Sequence, residues 1–156
     1  MQNSAIEKSS LNQVAEVSLS YKANFNPNHR PQIQSSADSY DILINNWGEQ
    51  IELREEFKII LLNQNGRVLG IVPISTGGIS SVLVDPKLVF ASALTACASS
   101  IILAHNHPSG NLKPSRQDIG LTKQLKEAGK FLQIPVFDHL IITPYSYFSF
   151  ADEDMI

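Results

Sequence analysis

Residues 101–118 read IILAHNHPSGNLKPSRQD, which joins a short apolar run, a turn-rich loop and a polar helix start. Ile101 to His105 is typical of a buried strand, and Pro108 must end that strand because proline cannot continue a central ladder. Ser115, with Asp118 three residues on, is typical of a capping box that begins a long helix. The stretch therefore predicts a strand, a tight loop and a helix in succession.

Helices and strands also alternate on both sides of this stretch. The dipeptide Asn65-Gly66 is a strong hairpin signal, whereas the helical segments connect strands over longer distances. Because hairpins mix with helical crossovers, we expect an α/β (α+β) fold with a mixed β-sheet flanked by helices. The predicted elements are strands at 14–21, 57–62, 68–75, 101–105, 135–143 and 145–150, helices at 35–47, 85–98 and 115–132, and a short extended piece at 79–84.

Length and composition describe one ordinary domain. A chain of 156 residues can bury a core without disulfides, so we expect a single domain at 30–156 preceded by a strand and loop at 1–29. The single cysteine, Cys97, cannot form an internal disulfide, and the polar start has no signal segment, which predicts a cytoplasmic protein. The uncharged run 88–104 is interrupted by Ser and Thr and too short for a membrane span.

The formal net charge is -3, so the chain lacks the overall positive charge that supplies non-specific affinity for nucleic acid. A nucleic-acid partner would need a local basic patch. The only candidate is a positive stripe on the predicted long helix, for which a solvated face is the favoured interpretation. The stripe consists of Arg116, Lys123, Lys126 and Lys130.

Two histidines at the end of the central strand predict a metal site. Side chains alternate along a strand, so His105 and His107 point to the same side. A catalytic zinc keeps three protein ligands and leaves the fourth position to water, and Asp118 is the candidate third ligand because a helix start favours an ionised carboxylate. Two histidines and one carboxylate also describe the facial triad of non-haem iron enzymes, so zinc and iron both remain open.

Each of these features also has an ordinary structural interpretation. A His-x-His pair is usually a surface or hydrogen-bonded pair, and the Ser115 to Asp118 capping box needs no metal. Both features nevertheless converge on one strand end and the helix start that follows it, where α/β folds typically hold ligands. Their convergence favours the metal site.

The string from His105 to Asp118 fits H-x-H-x7-S-x2-D without a gap. This is the metal-binding signature of the JAB1/MPN/Mov34 (JAMM) metalloprotease family, and ILAHNHPSG resembles the bacterial RadC-like branch of that family. The resemblance covers about residues 30–156 and implies a JAB/MPN-like, cytidine-deaminase-like architecture without the helix-hairpin-helix domain of longer RadC-type proteins. It continues through REEF at 54–57, Gly77-Gly78, DPKLVF at 85–90 and FDHLII at 137–142.

The resemblance implies a zinc-dependent metallohydrolase that cleaves an amide bond in a peptide or protein-conjugate substrate, as a metallopeptidase or isopeptidase. An upstream glutamate binds the catalytic water, and the family pattern favours Glu55 over Glu52, with Glu56 as the alternative. The second hypothesis is a non-catalytic metal-binding module associated with DNA repair or a protein partner. The implied roles are one Zn²⁺ per chain on His105, His107 and Asp118, and stabilisation of the tetrahedral intermediate by Ser115.

Three further positions carry weaker predictions. The Asp138-His139 pair on a late strand is a candidate for supporting the ligands, because ligating histidines commonly donate their free N–H to a neighbouring acceptor. Opposite faces of the strand allow only one of the two to point inward, and a structural role is an equal alternative. We expect His29 to be solvated and Cys97 to pack in the core.

Overall fold

The computed structural model describes residues 14–78 and 83–156. The described strands form one sheet in the order β2-β1-β3-β4-β5, in which β3 and β4 are parallel and all other neighbours are antiparallel. This confirms the expected α/β fold with a mixed sheet. The elements are α1 (Ser36–Asn45), β1 (Glu56–Leu62), β2 (Val68–Thr76), α2 (Pro86–Thr95), β3 (Ser100–Asn106), α3 (Arg116–Phe131), β4 (Val136–Ile142) and β5 (Tyr147–Ser149).

Helices cover both faces of the sheet, so β1 and β3 read as nearly continuous apolar runs. Ile101 and Leu103 of β3 pack with residues of α2 and α3. Ile102 and Ala104 pack on the other face with Leu43 of α1. Because side chains alternate along a strand, His105 points to the α2/α3 face and Asn106 points to the α1 face.

The predicted β1–β2 hairpin is confirmed. Asn63 Oδ1 accepts hydrogen bonds from the backbone N–H groups of Asn65 and Arg67, at 2.9 and 3.0 Å. Gly66 has a φ of 68°, a left-handed conformation that glycine adopts without a Cβ penalty. The turn thereby fixes the register of β1 against β2, and the opposite edge of β1 pairs with β3, where Phe57 lies opposite His105.

Several predicted boundaries are wrong. No described residue between 14 and 21 belongs to a strand, and Val14 and Val17 are both 87% exposed, since an alternating pattern forms a strand only where a partner edge accepts it. Helix α1 ends at Asn45 before Gly48, and α2 ends at Thr95. The predicted extended piece at 79–84 lies mostly outside the described residues.

The earlier end of α2 changes the environment of Cys97. This residue follows the helix in a turn with a φ of 51°, and its side chain is exposed instead of packing in the core as expected. In the part of the chain that the structure describes, no helix has both the length and the apolar character needed to cross a membrane.

Candidate metal centre

The two histidines of the His-x-His motif meet at the end of β3. Nε2 of His105 lies 3.0 Å from Nε2 of His107. His105 belongs to the strand and is buried, whereas His107 follows it in the loop and is half-buried. The Nδ1–H of His107 donates to the backbone oxygen of Asn111 at 2.5 Å, which leaves the Nε2 lone pair of the neutral ring available.

Asp118 brings the helix start to the same point. Its Oδ1 lies 3.2 Å from Nε2 of His105, and its Oδ2 lies 3.7 Å from Nε2 of His107. Oδ2 also accepts the backbone N–H of Ser115 at 2.6 Å, while Ser115 Oγ accepts the N–H of Asp118 at 3.1 Å. One carboxylate therefore does two things. Its Oδ2 closes the capping box with Ser115, and its Oδ1 is left to face His105.

A second carboxylate approaches from β1. Glu55 immediately precedes this strand, and one of its carboxylate oxygens lies within 4.8 Å of a ring nitrogen of both His105 and His107. Glu55 shares the face of Phe57, which pairs with His105, because alternate residues point the same way. The histidine pair consequently has two carboxylates at hand, and the residues alone permit either one as a metal ligand.

Glu56, the alternative glutamate, lies on the other side of the chain. It is part-exposed and forms an ion pair with Lys58 at 3.6 Å, and Lys58 in turn donates to the backbone oxygen of Trp47 on the α1 face. Glu52 is exposed and belongs to a turn. The structure thus brings Glu55 to the histidines and separates the other two glutamates from them.

The two carboxylates beside the histidines have pKa values shifted in opposite directions. Burial raises the pKa of Asp118, but the two histidines beside it lower it more strongly and leave it far below its ordinary value. The adjacent Asp118 carboxylate raises the pKa of His107. Burial raises the pKa of Glu55, against the opposing effect of the two histidines. The Asp118 side of the pair therefore holds a permanent negative charge and attracts a cation.

A chain of hydrogen bonds behind His105 sets which of its nitrogens carries the proton. The Thr122 hydroxyl donates its only proton to the backbone oxygen of Asp118 at 2.6 Å, so its oxygen accepts from Nδ1 of His139, also at 2.6 Å. Nε2 of His139 then accepts from Nδ1 of His105 at 2.8 Å. Burial lowers the pKa of His139 well below its ordinary value, so its ring is neutral. The result is a free lone pair on Nε2 of His105.

The other predicted positions fall outside this chain of contacts. Asp138 is buried as well, but on the opposite face, where it accepts hydrogen bonds from Ser149 and from the backbone N–H groups of His139 and Ala151. Only His139 of the pair reaches the site. His29 is exposed, and so are the four residues of the positive stripe on α3, namely Arg116, Lys123, Lys126 and Lys130.

A cavity of about 650 Å³ opens over these groups. Its walls include the exposed Ser115, whose hydroxyl proton meets no acceptor among residues 14–78 and 83–156. Leu83, Val84 and Leu121 supply an apolar wall. The site is thus open to a ligand that carries both apolar and polar groups.

The donor set fits a zinc ion. Two neutral imidazole nitrogens and a carboxylate are ligands that zinc accepts, and Zn–N bonds of about 2.0 Å in a tetrahedron separate neighbouring donors by roughly 3.3 Å. The Nε2 atoms of the histidines, 3.0 Å apart, are close to that separation. A metal-dependent role is consistent with this geometry.

Comparison with known proteins gives the family. A model described as RadC-like JAB domain matches residues 33–155. Relatives named UPF0758 protein are 43% identical over 122 residues in Flavobacterium johnsoniae, 45% over 104 in Porphyromonas gingivalis and 43% over 127 in Rubrobacter xylanophilus. These matches cover 78%, 66% and 81% of this chain and 52%, 46% and 55% of the relatives.

The chain therefore spans about half the length of the curated relatives it matches, and their shared name states no activity. The family match, in contrast, extends from α1 to the residue before the last and includes every member of the candidate metal centre. This chain belongs to the family of RadC-like JAB domains.

Proposed function

We propose that this chain is a zinc-dependent metallohydrolase that cleaves an amide bond in a peptide or protein conjugate. The observation that carries the proposal is the unequal pair of carboxylates around the two histidines. Asp118 lies 3.2 and 3.7 Å from them with a strongly lowered pKa, whereas Glu55 is buried with a raised pKa. One carboxylate suits a cation, and the other suits a proton.

His105, His107 and Asp118 would hold the zinc, which would supply Lewis acidity for a water and for the scissile carbonyl. The Glu55 carboxylate would take a proton from the attacking water as its oxygen forms a bond to the carbonyl carbon. It then passes the proton to the nitrogen as the C–N bond breaks and the amine leaves. The Ser115 hydroxyl is free to donate a hydrogen bond to the oxygen that gains negative charge.

Two variants test the division of labour between the carboxylates. Glu55→Gln keeps the volume and removes the base, so the protein should retain one equivalent of zinc and lose about 10²- to 10⁴-fold in hydrolysis. Asp118→Asn should lose the metal. Glu56→Gln is the matched control, because Glu56 is adjacent but faces Lys58.

The measurements are metal content of protein purified without added metal, and new amino termini in a proteome-derived peptide library incubated with the zinc-loaded protein. Zinc near one equivalent would remove the iron alternative. If Glu55→Gln releases amines like the unmodified chain while Glu56→Gln is inactive, the base assignment is wrong. If the unmodified chain binds zinc and releases no amines from peptides or from isopeptide-linked conjugates, the hydrolase proposal fails, which leaves a metal-binding module.

A further inference from the structure

Asn106 lies between the two histidines of the motif and points the other way. It is the last residue of β3 and fully buried, on the α1 face of the sheet. Its Oδ1 accepts the backbone N–H of Glu56 at 2.7 Å. Its Nδ2 donates to the backbone oxygens of Ile51 and Arg54, at 2.6 and 2.7 Å. Both N–H donors of the amide and its oxygen are therefore used.

The backbone groups that make these three hydrogen bonds lie on both sides of Glu55 in the sequence. Arg54 and Glu56 are its immediate neighbours, and Ile51 lies in the turn that leads to it. The backbone of Glu55 itself pairs with the segment on its other side, where Gly77 N–H donates to its oxygen at 2.8 Å and its own N–H donates to Gly78 at 3.3 Å. Without Asn106, the turn before β1 would lose these hydrogen bonds to the strand that carries His105, and only apolar packing of Ile51 would remain.

We propose that Asn106 is a positioning residue that holds the Glu55 carboxylate at a fixed distance from the histidine pair. The inference rests on the proposed function of Glu55 as the base. The end of β3 would then position both the metal and the base. His105 and His107 would bind the metal, while Asn106 between them holds the segment that carries Glu55. Coupling through one rigid strand suits chemistry in which a displacement of about 1 Å costs about 10²-fold in rate.

The test compares Asn106→Ala and the milder Asn106→Ser with Asn63→Ala in the full zinc-loaded chain. Asn63 is a matched control, because its side chain also anchors a turn through backbone groups, at the remote hairpin. For the Asn106 variants we expect a loss of at least 10-fold in kcat and a zinc affinity within about threefold of the unmodified chain. Amide hydrogen exchange should rise in residues 51–56 and stay unchanged in α3.

A double-mutant cycle separates positioning of the base from general support of the fold. In the Glu55→Gln background, Asn106→Ala should cause no further loss of activity, since the group it positions is already gone. A full additional loss in that background, or a parallel loss of zinc affinity, would overturn the proposal in favour of a structural role. Unchanged activity and exchange in both Asn106 variants would overturn it outright.

Hydrogen exchange also distinguishes failure of this inference from failure of the proposed function. If the unmodified chain cleaves no amide, the hydrolase assignment fails, but exchange still reports whether Asn106 holds residues 51–56. Exchange that does not rise in the Asn106→Ser variant would contradict the proposal even when hydrolysis is normal in the unmodified chain.

Discussion

At the scale of single residues, the same local motif occurs twice with different consequences. Ser35 and Asp38 form a capping box at the start of α1, with the same reciprocal hydrogen bonds as Ser115 and Asp118 at the start of α3. Both Asp38 contacts use Oδ2, which accepts the N–H groups of Gln34 and Ser35, and the residue is only half-buried. Asp118 differs because its free oxygen meets His105. The neighbour across space, and not the motif, decides which of the two carboxylates is a candidate metal ligand.

Thr122 hydrogen-bonds to His139 behind the candidate metal centre, and this contact gives a prediction at the same scale. Thr122→Val preserves shape but removes the hydroxyl that accepts from His139, so the proton on His105 is no longer confined to Nδ1. We expect zinc affinity to fall by about 10- to 100-fold, the usual effect of losing an outer hydrogen bond at a metal site. Competition with a chromophoric chelator measures it.

Thr95→Val on α2 is the control for this change. Thr95 makes the same bond to the backbone oxygen four residues earlier, at 2.7 Å, but is half-buried and has no hydrogen bond to a histidine. Its zinc affinity should match that of the unmodified chain. Equal affinity of the Thr122 and Thr95 variants would show that the hydrogen-bond chain behind His105 has no influence on the metal.

At the scale of elements, two glycines of α3 should respond in opposite directions to the same change. A Cβ at Gly129 would collide with the backbone oxygen of Ile134, and the Phe90 ring lies in contact on another side. A Cβ at Gly120 would meet nothing within 4 Å. Gly120→Ala should therefore stabilise the fold by up to about 1 kcal/mol through helix propensity. Gly129→Ala should lower the free energy of unfolding, because the backbone at Ile134 must move to make room for the new methyl group.

Urea unfolding of the two alanine variants measures the difference. A stabilised Gly129→Ala protein would mean that the turn after α3 yields without cost, contrary to the close packing of this helix end on the start of β4. The comparison is internal to one helix, so differences in propensity between helices do not enter it.

Much of the element order follows from local signals, and the failures have physical causes. The hairpin at Asn65-Gly66 and both capping boxes are fixed by residues close in sequence, so they were predictable. The pattern at 14–21 gave no strand, because strand formation depends on a partner edge. The expected core position of Cys97 failed because α2 ends at Thr95 and the chain turns outward.

The site shows the same division. Alternation along β3 was sufficient to place His105 and His107 together, and the helix start was sufficient to nominate Asp118. The family pattern favoured Glu55 over Glu56, and the register of β1 against β3 agrees with that choice because it puts Glu55 on the histidine face. Thr122 and Asn106 gave no recognisable signal, since the His139 ring and the backbone oxygens of Ile51 and Arg54 come within their reach only in the folded chain.

At the scale of the whole molecule, the site joins parts of the chain that are far apart in sequence. His105 lies in β3, His107 in the loop after it and Asp118 in α3, whereas Glu55 comes from the residue just before β1. A ligand set of this kind exists only in the folded state, because the unfolded chain does not hold these donors together. Zinc should therefore stabilise the fold as a whole and not one element.

The size of this effect follows from linkage. Free zinc at about 100 times its Kd should add about 2.7 kcal/mol to the free energy of unfolding, which for a chain of this length raises Tm by roughly 5 to 11 °C. Thermal unfolding of the full chain with and without zinc should show this shift in the unmodified protein and in Asp38→Asn, whose helix cap contacts no histidine. The shift should be absent in Asp118→Asn. An equal shift in both variants would mean that zinc binds elsewhere. Each substitution removes a carboxylate that caps a helix in the same way, but only the Asp118 carboxylate lies beside the histidine pair.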